Sequence, residues 1–550
     1  MKKTLLTLIA LLSFMTTFAQ TQVSKWSRFE TSFNYHTTQN PFTDVELTAT
    51  FTHEMSGEVL TVDGFYDGDD TFRVRFMPLK EGKWSYTTHS NIEQMDGKTG
   101  SVLCTPAKTG AHGMMKVGDD QDFLYGDGTQ YYPVGTTAYA WTYASKERQE
   151  QTYKSLEESG FNKLRFVIFP NNSINESPEC YPFELVSNSE NEAKVVEGDE
   201  VNSKASQEKV DYVWDYTRFD PKFFQHLEQC VERLDKIGVE ADIILFSPYD
   251  GGRWGFDRMT MDTNFRYLKY VVARLGAYSN IWWSIANEWD LCKKKTEEQW
   301  LAMSEYVAKK DPYHHLLSIH GSTAKYINYH MPYYTHASIQ DHGPLYNHEG
   351  AATVRNIIPK PIVFDEVCYE GDHSSRWGRL TGEEMIERMW MAIIGGTYVT
   401  HGECFTEDPD YYTGNAYLAT GGEFRGTSPK RIKFMRSILE ELPAVPRLAD
   451  RSWDGMTAGC GDGTYLIYFG SQAPKSWAFS LPCKNDRFYR LKGGEKFKVE
   501  LIDTWNMTRT QLSDIYEVKM DEVKRVNEKN GKKVKLPGKP YMMMKITMVK

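Results

Sequence analysis

Between about Lys116 and Ala444 the sequence alternates apolar runs of strand length with amphipathic helical segments, and this repeat constrains the fold more than any other feature. The apolar runs are Tyr131–Tyr139, Phe161–Pro170, Val239–Phe246, Ile281–Ala286, Leu316–Ile319, Ala337–Gln340, Ile362–Phe364 and Tyr398–His401. Helical periodicity occupies Ser145–Ser159, Pro221–Ile237, Thr263–Tyr278, Glu297–Lys310, Gly382–Ile394 and Ser428–Leu442. In the second of these helices Phe223, Phe224, Leu227, Val231 and Leu234 share one side. Thr296 caps the fourth, and Thr381 with Glu384 forms a capping box for the fifth. Eight strands alternating with helices predict a (β/α)8 barrel with insertions. A doubly wound open sheet is the rival, but no Gly-rich phosphate turn follows an early strand.

The flanks read differently. From Trp26 to about Ala107 the texture is all-β, with alternation in Val45–Phe51 and Thr71–Phe76 and turns at Asp67-Gly68-Asp69 and Glu81-Gly82-Lys83. Trp84 and Tyr86 are expected in core or edge packing. From Val445 onward the runs Tyr465–Phe469, Trp477–Leu481 and Tyr541–Val549 predict a second small sandwich, with the Lys-rich stretch Lys519–Lys535 as a solvated hairpin or loop. The polar stretch Ser187–Lys209 reads as an inserted surface loop. The expected fold class is therefore multidomain α/β plus all-β: a signal peptide over 1–19, an N-terminal β-sandwich over 20–115, a catalytic TIM barrel over 116–444 and a C-terminal β-sandwich over 445–550.

Lys2 and Lys3, the apolar run Leu5–Phe14 and small or uncharged residues up to Ala19 form a secretory signal pattern, so the chain is expected to be exported, to a periplasm or to the exterior. With 40% hydrophobic and 25% charged residues, the composition excludes disorder and a multi-span membrane protein, and no integral membrane segment is expected in the mature chain. The formal charge of -10 argues against a nucleic-acid partner, which needs clustered Lys and Arg. Aromatic residues make up 14%, a supply of flat apolar faces for core and for sugar rings. Eight cysteines are too sparse for a disulfide scaffold and lack CxxC spacing; one or two bridges remain open.

Active-site groups of such a barrel lie at the C-terminal ends of its strands. The run Ile281–Ala286 delivers Asn287 and Glu288 at its tip, and Ile362–Phe364 delivers Asp365 and Glu366. Asn-Glu occurs four times in the chain and Asp-Glu three times, but only one of each follows an apolar β-run, so position carries the signal. Counted along the repeat, Glu288 ends strand 4 and Glu366 ends strand 7. On these residues the chain resembles clan A retaining glycoside hydrolases, in particular bacterial multidomain members with flanking β-sandwiches. The resemblance covers about 60% of the chain. It implies Glu288 as acid/base, Glu366 as nucleophile and Asn287 as a ligand of the sugar 2-hydroxyl. The chemistry agrees: retention requires one protonated and one ionised carboxyl about 5 Å apart across the anomeric carbon, and no metal or organic cofactor. Trp283 and Trp289 are expected beside Glu288, where apolar contact would raise its pKa.

The same placement rule selects further substrate-binding candidates. Arg165, within Lys163–Phe166, matches the clan's strand 2 arginine that keeps the nucleophile ionised. His320 ends strand 5, Gln340 and His342 end strand 6, and His401 with Glu403 ends strand 8. Tyr139 and Trp141, after strand 1, are candidates for a sugar-stacking platform, and Trp289 borders Glu288. The clan's tyrosine after strand 6 and tryptophan after strand 8 have no clean match: Tyr346 lies further along, and strand 8 continues His401-Gly402-Glu403-Cys404-Phe405. Metal and serine hydrolases are disfavoured, because neither HExxH nor GxSxG occurs and His314-His315 at a helix end suits solvent contact or dipole compensation. Two functions stand: a glycosidase acting on an oligo- or polysaccharide, and a noncatalytic glycan-binding protein on a barrel scaffold.

Overall fold

Parallel strands covered on both faces are apolar along their whole length, and the apolar runs of the repeat form such a sheet in the computed structural model. The described residues are 21–170, 179–189, 211–247, 254–342, 348–405, 417–449, 456–482, 484–485, 489–522 and 525–549. The signal pattern, Cys483, Tyr346 and the centre of the Ser187–Lys209 stretch lie outside them. The barrel strands are β1 (Gly135–Thr137), β2 (Lys163–Val167), β3 (Glu240–Phe246), β4 (Ile281–Ala286), β5 (Leu317–Ser318), β6 (Ala337–Gln340), β7 (Ile362–Glu366) and β8 (Tyr398–His401). They pair in parallel in the order β5-β4-β3-β2-β1-β8-β7-β6. A parallel bridge between His320 and Ser338 joins β5 to β6 and closes the barrel.

Strand periodicity sorts the side chains. Along β2, Leu164 and Phe166 enter the core shared with the helices. Lys163 and Arg165 turn into the lumen, where they meet Asp242 and Asp365 below and Asn287 above. The outer ring comprises α1 (Lys146–Ser159), α2 (Pro221–Lys236), α3 (Met261–Leu275), α4 (Glu297–Lys310), α5 (His348–Ile357), α6 (Gly382–Ile394) and α7 (Ser428–Glu440). Thr296 with Gln299 and Thr381 with Glu384 form capping boxes, and Gly160 closes α1 at φ +80°. Below the lumen, a small antiparallel sheet of Lys116–Val117, Phe123–Leu124 and Gln130–Tyr131 seals the N-terminal mouth, with Phe123 on Trp282 at 5.0 Å and on Tyr398 at 5.3 Å.

Three expectations need correction. The first strand is only Gly135–Thr137, because Pro133 cannot donate to a ladder and separates it from Tyr131. Helix α5 was not anticipated from its Gly-containing, weakly apolar sequence. The polar insertion is flanked by an antiparallel pair, Phe183–Ser189 with Asp211–Phe219, whose Phe183 and Phe219 rings lie 5.0 Å apart.

The N-terminal sandwich buries Trp84 and stacks Phe51 on Phe76 at 3.9 Å. It docks on α2 and α3 through a buried ion cluster. Arg274 reaches Asp67 and Glu228 at 2.6 Å each, and Arg75 reaches Glu228 at 2.7 Å. The C-terminal domain is an all-β sandwich around Tyr465, Phe479, Phe497 and Tyr516. Its Lys-rich segment pairs Tyr516–Met520 with Arg525–Glu528 as a hairpin. No two of the seven described cysteines are joined by a disulfide.

Candidate active site

A regular strand presents alternate side chains to opposite faces, so Asp365 and Glu366 would face apart in an unbroken β7. The ladder with β6 shifts there: Ile339 pairs with Phe364, but Gln340 pairs with Glu366. The extra residue lets both carboxylates enter the lumen at different heights, a usual effect of a bulge beside an active site. Asp365 belongs to the lower layer. It accepts from Lys163 Nζ at 3.0 Å, Thr400 Oγ1 at 2.6 Å and Ser338 Oγ at 2.5 Å, and Lys163 also binds Asp242 at 2.6 Å. Burial opposes ionisation of Asp365, but Lys163 and Arg165 outweigh it and hold the carboxyl well below the usual range.

Glu366 sits one layer higher. The Tyr139 hydroxyl donates to its Oε1 at 2.5 Å, and Arg165 Nη1 lies 3.8 Å from the same oxygen. His320 Nε2 approaches at 3.4 Å. Burial raises the pKa of Glu366, yet His320, Arg165 and Tyr139 together bring it down to about 2. Glu366 is therefore ionised at neutral pH. Because Ser338 spends its proton on Asp365, it accepts from His320, whose Nδ1 lies 3.1 Å away. Tyr369, three residues past Glu366, places its hydroxyl 3.4 Å from that of Tyr139.

Across the lumen β4 ends at Ala286. Asn287 is wholly buried, and its Oδ1 accepts from Arg165 Nη1 at 2.6 Å. One guanidinium thus spans from the Asn287 amide to Glu366. Glu288, half-buried, turns out of the strand in the left-handed conformation, φ 44° and ψ 52°. Few non-glycine residues adopt this backbone, and such positions gather at functional sites. The Trp289 N–H donates to the His320 carbonyl at 3.0 Å, and Lys325 lies 5.6 Å over the Trp289 ring.

Gln340, the register partner of Glu366, donates through Nε2 to His342 Nε2 at 2.8 Å, and its own Oε1 is buried with no partner among the described residues. Burial lowers the pKa of His342 against the pull of Glu366. The remaining sequence candidates point elsewhere. Trp141 is fully buried against Tyr153 and Phe166, at 5.2 and 5.7 Å, in the strand–helix core. His401 pairs in register with Thr136, on the outer face that also carries Leu164, and packs on Phe161 at 5.0 Å. Glu403 accepts from the backbone of Arg425 and Gly426 beyond the barrel wall. Trp283 also faces outward, donating to Asp311 at 3.0 Å, so it is not positioned to desolvate Glu288. His315 is buried on Asp311 at 2.9 Å, not at the surface. Sequence reasoning missed Tyr369 and the Lys163–Asp242–Asp365 layer; charged residues inside otherwise apolar strands were the available signal.

Residues 118–403, a little over half of the chain, match the family model of the apiosidase-like catalytic domain. Residues 22–91 and 453–547 match two further models, both described as domains of unknown function (DUF5060 and DUF5605). No curated protein matches significantly. Among solved structures, a protein of Bacteroides vulgatus ATCC 8482, provisionally assigned as a glycoside hydrolase, is 43% identical, with a TM-score of 0.89 over 96% of this chain and 100% of that one. A family 5 glycoside hydrolase of the same organism is 12% identical, with a TM-score of 0.56 over 79% of this chain and 94% of its own, a likeness of fold alone. With the closed barrel and its sandwiches, the family match and the 43% identical relative lead to one assignment: the chain belongs to the apiosidase-like family of glycoside hydrolases.

Proposed function

We propose that the protein is an exported retaining glycosidase in which Glu366 is the nucleophile and Glu288 the acid/base. The observation that carries this reading is the setting of Glu366: buried at the end of β7 beside Arg165, His320 and Tyr139, which together favour its ionised form. Arg165 links it to Asn287, the neighbour of Glu288. In the first step a Glu366 oxygen attacks the anomeric carbon and the bond to the leaving oxygen breaks, while Glu288 delivers its proton to that oxygen. A covalent glycosyl ester results. Glu288, now ionised, takes a proton from water, whose oxygen displaces Glu366 and releases the sugar with its original anomeric configuration. In this reading Asn287, fixed by Arg165, bonds the 2-hydroxyl. The family name makes terminal apiose the first sugar to test, and the insertion after β2 favours release of terminal sugars.

The test is trapping. Incubation with a 2-deoxy-2-fluoro glycoside of a cleaved sugar should add one glycosyl mass to the peptide containing Glu366. Glu366→Ala should be inactive and regain turnover with azide, giving a glycosyl azide. Labelling at another carboxylate, or inversion of the product anomer by NMR, would reject the assignment. Glycan binding without cleavage across a broad panel would favour the noncatalytic reading. Mass analysis of the mature N-terminus in culture tests export.

A further inference from the structure

Behind the barrel wall, on the side away from Glu366, three titratable side chains converge. After a break, β7 and β8 each resume for two residues, and there Glu370 pairs in register with Glu403. Register partners in a parallel pair lie side by side on one face, so two carboxylates are packed together in the interior, at 2% and 1% exposure. No Lys or Arg nitrogen among the described residues lies within 4.0 Å of either. Placing two carboxylates side by side in the interior opposes ionisation of the second, a cost that a bound cation would relieve. The third group is His401, 0% exposed, whose Nε2 has no hydrogen-bond partner among the described residues and stands 3.9 Å from Glu403 Oε1. One ligand atom from each of the three falls within 4.8 Å of the others.

The surroundings hold these groups as outer contacts hold the ligands of a metal. Metal-binding imidazoles usually engage a second partner through their other nitrogen, and metal-binding carboxylates accept hydrogen bonds themselves. His401 Nδ1 lies 3.1 Å from Thr136 Oγ1, which fixes the ring. The segment entering α7 donates to all four carboxylate oxygens. Arg425 N and Gly426 N donate to Glu403 at 2.9 and 3.1 Å; Thr427 N and Ser428 N donate to Glu370 at 2.7 and 3.1 Å, joined by the Thr427 and Ser428 hydroxyls at 3.0 and 2.5 Å. Each Glu403 oxygen accepts one such bond and retains another acceptor direction, while each Glu370 oxygen accepts two, one of them from a rotatable Thr427 or Ser428 hydroxyl that can yield to an ion. Gly426 closes the cradle: a Cβ there would stand 2.4 Å from Glu370 Oε2 and 2.5 Å from Glu403 Oε1.

We propose that Glu370, His401 and Glu403 bind a divalent metal ion of the zinc or manganese class, which ties the ends of β7 and β8 to the start of α7. One imidazole with two carboxylates suits these ions better than calcium, which takes oxygen ligands alone. The site lies outside the lumen and does not depend on the catalytic reading.

The experiment uses the full mature chain. Metal content is measured as purified, the protein is stripped with a chelator, and Zn²⁺, Mn²⁺ and Ca²⁺ are titrated separately by calorimetry and by thermal melting. The expected result is one Zn²⁺ or Mn²⁺ per chain, a Tm several degrees higher with metal, and little response to Ca²⁺. His401→Gln should weaken binding at least tenfold, and Co²⁺ loaded into the stripped protein should show visible absorption that this variant changes. Absence of stoichiometric binding by the unmodified protein would overturn the proposal, as would equal affinity in His401→Gln. Should that variant fold poorly, the titration of the stripped unmodified chain decides alone.

Discussion

Removal of a single hydroxyl, Tyr139→Phe, tests how Glu366 is kept ionised. The phenol donates at 2.5 Å to the same oxygen that faces Arg165 at 3.8 Å. A hydrogen bond to a charged group contributes about 1.5–3 kcal/mol, and about 1.4 kcal/mol corresponds to one pKa unit. Losing the donor should therefore raise the pKa of Glu366 by about 1–2 units from its value of about 2. Arg165 remains in the variant, and its attraction at 3.8 Å, about 4 kcal/mol at an effective dielectric constant of 20, keeps the group below an ordinary glutamate. The assay is kcat/KM against pH on any substrate that is turned over, from pH 3 to 8. The native acid limb should lie below this window, and the variant's should enter it. A variant profile that falls uniformly, with its acid limb within a few tenths of a unit of the native one, would refute the argument that Tyr139 acts through the charge on Glu366.

Glu288→Gln should lower kcat about 10²–10⁴-fold on natural glycosides, with a much smaller loss of the first step when the leaving group is an activated phenol; an equal loss on both would deny Glu288 the role of acid. Arg274→Met leaves Glu228 and Asp67 short of their buried partner and should cost about 3–5 kcal/mol, read as a lower urea midpoint. Glu366 also links stability to pH. Its folded pKa, about 2, lies below that of an unfolded glutamate, so the ionised form contributes stability that is complete above the unfolded value and is lost as pH falls through about 2. The Tm difference between the native chain and Glu366→Gln should accordingly narrow from pH 5 to pH 3.

The barrel was legible because a strand covered by helices outside and packed side chains inside must be apolar for its whole length, as β3 and β4 are. The placement of Asn287-Glu288 and of Glu366 followed from where those runs stop. What could not be read was parity. Whether His401 looks inward depends on its register with Thr136, which no single strand encodes, and it looks outward. Trp283 and Trp141 went the same way, since a buried aromatic satisfies the strand–helix core as well as a lumen. The tyrosine beside Glu366 comes from the end of β1, not from the segment after β6 where the clan resemblance directs attention; only closure of the barrel brings residues 139 and 366 together. Lys163, Asp242 and Asp365 each look like an isolated charge until three strands meet.

The extra residue in β7 places two acids with opposite duties on consecutive positions of one short strand. Asp365 is bolted to Lys163 as part of the frame, while its neighbour is exposed to chemistry, and the frame's rigidity is passed on through a single peptide unit. Deleting one residue from Ile362–Phe364 would leave composition and hydropathy almost unaltered, yet it would remove the odd count that lets both acids turn inward. One acid would then be driven into the greasy layer under the helices, so this segment tolerates changes of side chain far better than changes of length.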